Sequence, residues 1–119
     1  MKTVELTVKN GVHVITPRKN LAGGEETTEL VSAVSGIAAS EPVPRVVLDL
    51  GKISWASSLG IESLMRAKRY CTERNGWLRI AGVDKRIHDT MLVMRIEVLF
   101  DVVDTVEAAV SELELKSRA

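Results

Sequence analysis

The amino-acid sequence predicts a single α/β domain with a mixed, mainly parallel β-sheet. Short apolar segments of strand length alternate along the chain with longer segments of helical spacing. An Asn-Gly pair separates the first two strand-like segments, as in a tight hairpin. Because each helix between two strands returns the chain for another parallel strand, the predicted order is ββαβαβαβα. With 119 residues, 45% of them hydrophobic, the chain suits one core, and the predicted domain covers residues 1–119.

The chain opens with the predicted hairpin. Three apolar residues alternate with polar ones, the period of a strand with one buried face: Val4, Leu6 and Val8. Asn10 and Gly11 both tolerate positive φ, which a two-residue turn requires. The second strand is predicted over residues 12–16, before Pro17, which has no amide hydrogen to donate to a sheet.

A loop over residues 18–24 precedes the first helix. Glu25 and Glu26 provide the acidic charge that suits a helix N-terminus. Apolar residues then recur at helical spacing: Leu30, Val31, Val34, Ile37 and Ala38. The helix is expected to end near Ser40, before a loop with two prolines.

An interior strand and a second helix form the middle of the chain. Residues 46–50 are a nearly continuous apolar run, typical of a strand covered on both faces. After a short loop with two serines, one side of a second helix carries Ile61, Leu64, Met65, Lys68 and Cys71. Asn75 and Gly76 are expected to end it, because both accept the left-handed conformation.

The last third of the chain repeats the alternation of strand and helix. A strand is predicted over residues 77–81 and another over residues 98–102. Asp84 and Asp104 are predicted to cap the third and fourth helices. The apolar positions of these helices are Ile87, Met91 and Met94 in the third, and Val106, Ala109, Val110 and Leu113 in the fourth. The polar residues 114–119 are expected to fray.

Composition narrows the possible partners and the compartment. Sixteen basic and sixteen acidic side chains cancel, so the sequence suggests no cationic field for nucleic acid or an anionic membrane. Cys71 is the only cysteine, which excludes an intrachain disulfide and suits a reducing cytosol. The N-terminal segment lacks the apolar core of a signal peptide, and no apolar run approaches the length of a membrane span. We expect a cytoplasmic protein without membrane insertion.

Catalytic and cofactor motifs find little support. Gly51-Lys52 follows a strand, but Val46 and Ile53 replace the glycine and the hydroxyl residue of a P-loop. His13 and His88 are far apart in the sequence and make a poor metal set. A serine hydrolase would need a Gly-x-Ser-x-Gly elbow, which the residues around Ser58 lack. We therefore predict no cofactor, no metal and no enzymatic activity.

Ser57 and Ser58 remain as the candidate site, at the start of the second helix. A serine oxygen there can accept a hydrogen bond from a free amide of the first turn, worth about 1 kcal/mol. Glu62 could add a capping box if Ser58 or Leu59 lies near the cap. The same position would tolerate a phosphate, because negative charge is favourable at a helix N-terminus. Local chemistry alone favours capping over phosphorylation.

Three groups of residues around this loop carry a family resemblance: Leu48-Asp49-Leu50, Ile53-Ser54-Trp55, and Ser58-Leu59-Gly60-Ile61 with Leu64. Together with the downstream order of strands and helices, they resemble the STAS domain of bacterial anti-sigma factor antagonists over most of the chain. The family motif has Asp at Ser57, Ser or Thr at Leu59, and a second glycine at Glu62.

The resemblance implies a non-enzymatic regulator that binds an anti-sigma factor, which is also a serine kinase. Ser58 matches the position that this kinase phosphorylates in family members that switch. The implied partner surface comprises Ser57, Ser58, Leu59, Gly60 and Glu62. The alternative is a constitutive STAS scaffold or adaptor in a signalling assembly or transporter complex, without phosphorylation. Its partners would include other STAS proteins. A small-ligand sensor has no specific residues to support it.

Overall fold

The computed structural model describes residues 2–116, in which five strands and four α-helices follow the predicted order. The strands are β1 (Val4–Lys9), β2 (Val12–Pro17), β3 (Arg45–Asp49), β4 (Trp77–Ala81) and β5 (Asp101–Val103). The helices are α1 (Glu25–Ser40), α2 (Ser58–Thr72), α3 (Lys85–Val93) and α4 (Val106–Lys116), and a short 3-10 turn occupies Glu97–Leu99. The predicted order ββαβαβαβα and the α/β fold class are confirmed.

The five strands form one mixed sheet with β3 at its centre. Their order is β1-β2-β3-β4-β5; β1 and β2 are antiparallel, and the other neighbours are parallel. Asn10 and Gly11 make the hairpin turn with φ values of 52° and 80°, as predicted. The carboxyl ends of β2, β3 and β4 meet at one edge of the sheet, where the loops leading to α1, α2 and α3 emerge.

Helices cover both faces of the sheet, which explains the continuous apolar run of β3. Val46 and Leu48 belong to the larger core, beneath α1, α2 and α3, whereas Val47 faces the smaller core beneath α4. All three side chains are fully buried. Each buried large aliphatic side chain stabilises the fold by about 1.5–3 kcal/mol, so Ile61 and Leu64 are among the residues that hold α2 to the core.

The first strand differs from its predicted burial. Val4 is buried, but Leu6 is 50% exposed and Val8 is 61% exposed. Both side chains lie on the face of the sheet that carries Ile15, because Leu6 pairs with Ile15 and Val8 pairs with His13, two residues before it. β1 is the edge of the sheet, and α1 packs more closely against β2 than against β1, which leaves these two side chains partly uncovered. The predicted buried face of β1 is therefore wrong beyond Val4.

Three details of the C-terminal third also differ from prediction. Asp84 caps α3 as predicted, accepting from the Arg86 amide at 2.8 Å, but Thr105 caps α4 in place of Asp104. Residues 97–99 form a 3-10 turn, so β5 begins only at Asp101, after the buried Phe100. Met94 follows α3 and is exposed.

The C-terminal helix is longer than expected. α4 continues to Lys116, whose ammonium lies 5.6 Å from the centre of the Trp77 ring. This contact and the favourable position of a cation at a helix C-terminus stabilise the last residues of α4. The remaining part of the predicted tail, residues 117–119, lies outside the described residues.

Candidate functional site

The candidate site is the N-terminus of α2, directly after the loop that leaves β3. Ser57 is the N-cap residue: its backbone is extended, and its Oγ accepts a hydrogen bond from the Gly60 amide at 3.1 Å. Capping is thus performed by the first of the two serines. The third residue of the helix is Gly60, so Glu62 is not placed to form a capping box with Ser57.

Ser58 is the first residue of α2 and is exposed. Its hydroxyl makes no hydrogen bond to any part of the chain that the structure describes. It lies at the positive end of a helix of 15 residues, beside free amides of the first turn. Ser57 therefore stabilises the start of α2, whereas the Ser58 hydroxyl is exposed and accessible to a modifying enzyme.

Leu59 and Gly60 have opposite environments although they are neighbours. Leu59 is 60% exposed, and its side chain lies against Gly23 of the loop before α1. Gly60 is buried, and a Cβ built on it would lie only 2.2 Å from the carbonyl oxygen of Leu21. Glycine at position 60 therefore allows the two loops to meet, while Leu59 is presented to solvent.

Hydrogen bonds from both backbone and side chain hold the loop before α1 against the candidate site. Asn20 Oδ1 accepts from the amides of Ser54 and Trp55 at 2.9 and 3.3 Å. The Ser57 amide donates to the carbonyl of Leu21 at 2.8 Å. These bonds hold residues 54–57 against residues 20–21, so the start of α2 is preorganised. Asn20 is a residue that the sequence analysis missed, since no local pattern shows that it reaches a loop more than thirty residues away.

Glu26 stabilises the same loop from the α1 side. Its Oε1 accepts from the amides of Ala22 and Gly24 at 2.7 and 3.1 Å. Burial opposes ionisation of this carboxyl, but the amide hydrogen bonds outweigh that effect and lower its pKa. The sequence predicts Glu26 as favourable charge at the N-terminus of α1. In the structure its carboxylate also accepts hydrogen bonds from the backbone of the preceding loop.

Exposed apolar side chains precede and follow Ser58 in the sequence. Trp55 is 49% exposed on the loop before Ser57, so two large apolar side chains, Trp55 and Leu59, flank the site. A shallow cleft between the first turns of α1 and α2 is lined by Thr27, Thr28, Glu62 and Arg66 together with Leu59. Exposed apolar side chains with a polar surround are typical of a protein-binding surface.

Other candidate chemical groups lie elsewhere. His13 Nε2 contacts Glu41 Oε1 at 3.0 Å near the start of β2, at the end of the sheet away from the candidate site. His88 is on α3. Cys71 is buried in α2, and burial raises the pKa of its thiol to about 12, as expected for a side chain that packs in the core. Residues 2–116 contain no group of three or more His, Cys, Asp or Glu side chains placed to bind a metal ion. None of their helices has the length and apolar character of a membrane span.

Comparison with known proteins agrees with this fold. The family model of the STAS domain matches residues 3–110. No curated protein matches the chain by sequence. A candidate anti-sigma factor antagonist from Thermotoga maritima has a similar structure, with a TM-score of 0.81 and 12% identity, over 92% of this chain and 93% of the other.

Two further solved structures are similar. An anti-sigma factor antagonist (STAS) domain protein from Planctomyces limnophilus has a TM-score of 0.76 and 20% identity, covering 91% of this chain and 96% of the other. A sulfate transporter family protein from Wolinella succinogenes has a TM-score of 0.73 and 17% identity, covering 95% and 93%. At these identities the likeness establishes the fold, which antagonists and transporter proteins share.

Proposed function

Because the chain belongs to the STAS domain family, we propose that it is a non-enzymatic, cytoplasmic regulator that binds an anti-sigma factor with serine kinase activity. The proposal rests on the different roles of the two adjacent serines. Ser57 caps α2, whereas the Ser58 hydroxyl is exposed and unbonded among the described residues. A kinase can therefore modify Ser58 without removing the cap, and similarity to anti-sigma factor antagonists supports this class of partner.

The proposed partner surface is the first turn of α2. Ser58, Leu59 and Glu62 are exposed and would contact the partner, while Ser57 and Gly60 position them through the cap and the close approach to Leu21. Leu59 offers the largest apolar contact of this set; because it is 60% exposed, its complete burial on binding would contribute about 1–2 kcal/mol. Trp55, three residues before Ser58 in the sequence and 49% exposed, offers a second apolar side chain.

Phosphorylation of Ser58 would act on the partner and not on the fold. A phosphate carries a charge of about −1.5 to −2 at neutral pH. Beside the free amides of α2 this charge favours the helix by about 0.3–1 kcal/mol. In a complex, however, the same charge would have to be desolvated next to Leu59 and Trp55, at considerable cost. The modified protein would thus remain folded and lose affinity for its partner.

The experiment is phosphorylation by the cognate kinase, followed by mapping of the phosphate by mass spectrometry. The wild type and Ser57→Ala are expected to carry phosphate on Ser58, and Ser58→Ala is expected to carry none. Ser57→Ala is the matched control, since it removes the neighbouring hydroxyl. Phosphate at another residue, or none on the wild type, removes Ser58 from the role of switch.

A constitutive scaffold or adaptor is the second candidate function. Exposed Leu59 favours it, because an apolar residue in place of a hydroxyl suits a permanent contact, and so does the likeness to a transporter family protein. The two candidates differ in their response to phosphorylation. Leu59→Ala and Ser58→Asp should weaken partner binding in both, because both change the contact surface, whereas treatment with the cognate kinase and ATP should weaken it only in a phosphorylation switch. Capture of a transporter or another STAS protein, with affinity unchanged by kinase and ATP, would favour the scaffold.

A further inference from the structure

The outer edge of the sheet, β1, has backbone groups whose direction follows from the hairpin register. Lys9 pairs with Val12 beside the two-residue turn, and the Arg18 amide donates to the Thr3 carbonyl at 2.8 Å. Hydrogen-bonded and non-hydrogen-bonded pairs alternate in an antiparallel ladder. Odd-numbered residues of β1 therefore bond to β2, and even-numbered residues direct their N–H and C=O groups away from the sheet.

One part of this edge is covered and another part is open. The Arg18 side chain donates from Nη1 to the outward carbonyls of Lys2 and Val4, at 2.8 and 3.4 Å. The outward groups of Leu6 and Val8 have no hydrogen-bond partner within residues 2–116. Their side chains are also half or more exposed. An open, apolar edge segment is a template for pairing with another strand.

We propose that a second copy of this chain pairs with this edge, so that the two β1 strands run antiparallel about a two-fold axis at Thr7. Leu6 then lies opposite the partner's Val8, and the outward N–H and C=O groups of both residues bond across the interface. Glu5 lies opposite the partner's Lys9. The pairing is isologous and closes on itself, so it yields a dimer and leaves no free β1 edge to build a fibre.

The side chains of β1 are self-complementary in this register. Glu5, Thr7 and Lys9 share one face, so the dimer gains two oppositely charged pairs and a central threonine pair, which are favourable cross-strand neighbours. Leu6 and Val8 share the other face and form an apolar strip of four side chains with their partner copies. Glu5 already contacts Lys52 at 2.6 Å, whereas Lys9 takes part in none of the ion pairs found among residues 2–116.

Neighbouring registers satisfy fewer of these groups. A shift that centres the axis on Leu6 places Val8 opposite the partner's Val4, whose carbonyl accepts from Arg18. A shift that centres it on Val8 places Leu6 opposite the partner's Asn10, which is in the hairpin turn. Both shifts also separate Glu5 from the partner's Lys9. The register centred on Thr7 is the one in which backbone, charge and apolar side chains all match.

Sedimentation velocity over a concentration series tests the dimer and its register. The wild type is expected to pass from the 13.0 kDa monomer to a species of twice that mass. Lys9→Glu and Glu5→Lys should each weaken dimerisation by about tenfold or more, because like charges then face each other. An equimolar mixture of the two variants should restore it, since both pairs are again opposite in charge.

Apolar substitutions supply an independent arm of the test. Leu6→Lys should abolish the dimer, while Val98→Lys, at another exposed valine away from β1, should leave it intact. Thermal unfolding shows whether each variant is folded. Lys9→Glu serves as the charge variant that leaves the Glu5–Lys52 ion pair in place. A wild type that stays monomeric at every concentration, or a dimer that survives both Lys9→Glu and Leu6→Lys, would overturn the proposal.

Discussion

Replacing Ser57 and Ser58 separately by alanine tests whether the two serines have different roles. Ser57→Ala removes the oxygen that accepts from the Gly60 amide at 3.1 Å, and leaves that donor at the end of α2 without its cap. Ser58→Ala removes a hydroxyl that bonds nothing in residues 2–116. The two substitutions delete the same atom from adjacent positions, so each is a control for the other.

The expected difference follows from the geometry of the cap. Loss of an N-cap serine costs about 0.5–2 kcal/mol, centred near 1 kcal/mol. An exposed first-turn residue without contacts should change the free energy of unfolding by no more than about 0.5 kcal/mol in either direction. For a domain of 119 residues, about 1 kcal/mol corresponds to a Tm shift of roughly 3–6 °C.

Urea unfolding followed by circular dichroism measures both values. The free energy of unfolding should fall for Ser57→Ala, with an unchanged dependence on denaturant, and should stay near wild type for Ser58→Ala. If Ser58→Ala costs as much as Ser57→Ala, the second serine also supports the fold. Its hydroxyl is then not free for a kinase.

Three more perturbations address the packing and electrostatics around the site. Gly60→Ala should destabilise the domain by about 1–3 kcal/mol in urea unfolding, because its Cβ would lie 2.2 Å from the Leu21 carbonyl oxygen. Gly36→Ala is the control, since its Cβ meets nothing within 4 Å, and a similar loss there would contradict the reasoning. Native Cys71 should resist a thiol reagent at about pH 8 and react once unfolded, since burial raises its pKa to about 12, and rapid native labelling would refute this. Glu26→Gln should destabilise most at neutral pH. The folded state lowers the pKa of Glu26 below its ordinary 4.5, so the carboxylate stabilises the fold above that pH. The difference in unfolding free energy between the wild type and Glu26→Gln should therefore shrink as the pH falls below 4.5, and a difference that stays constant would contradict this role.

The fold could be predicted because its signals are local. Alternating and helical periods mark the strands and helices, and Asn10-Gly11 specifies a turn through its positive φ angles. The run at residues 46–50 predicts burial on both faces, which the two cores confirm. The burial of β1 was predicted wrongly for a physical reason. Its alternating pattern resembles that of a half-buried strand, but burial also depends on which strands a helix covers, and that is set by the tertiary structure.

The candidate site was predictable in place but not in detail. Its position at the start of a helix follows from the local pattern, and the structure then assigns capping to Ser57. Asn20 could not be found, because its side chain meets the amides of Ser54 and Trp55 only after the two loops fold together. Similarly, Thr105 and Asp104 are both good caps by residue type, and only the backbone geometry decides between them.

The most direct measurement is the affinity of the cognate anti-sigma factor kinase for this protein before and after phosphorylation, by isothermal titration calorimetry. Ser58→Ala should bind like the wild type and be insensitive to ATP treatment. The wild type phosphorylated on Ser58, and Ser58→Asp, should bind at least about tenfold more weakly, which corresponds to about 1.4 kcal/mol. Equal affinity of the phosphorylated and unmodified proteins would contradict the assignment of Ser58 as the switch.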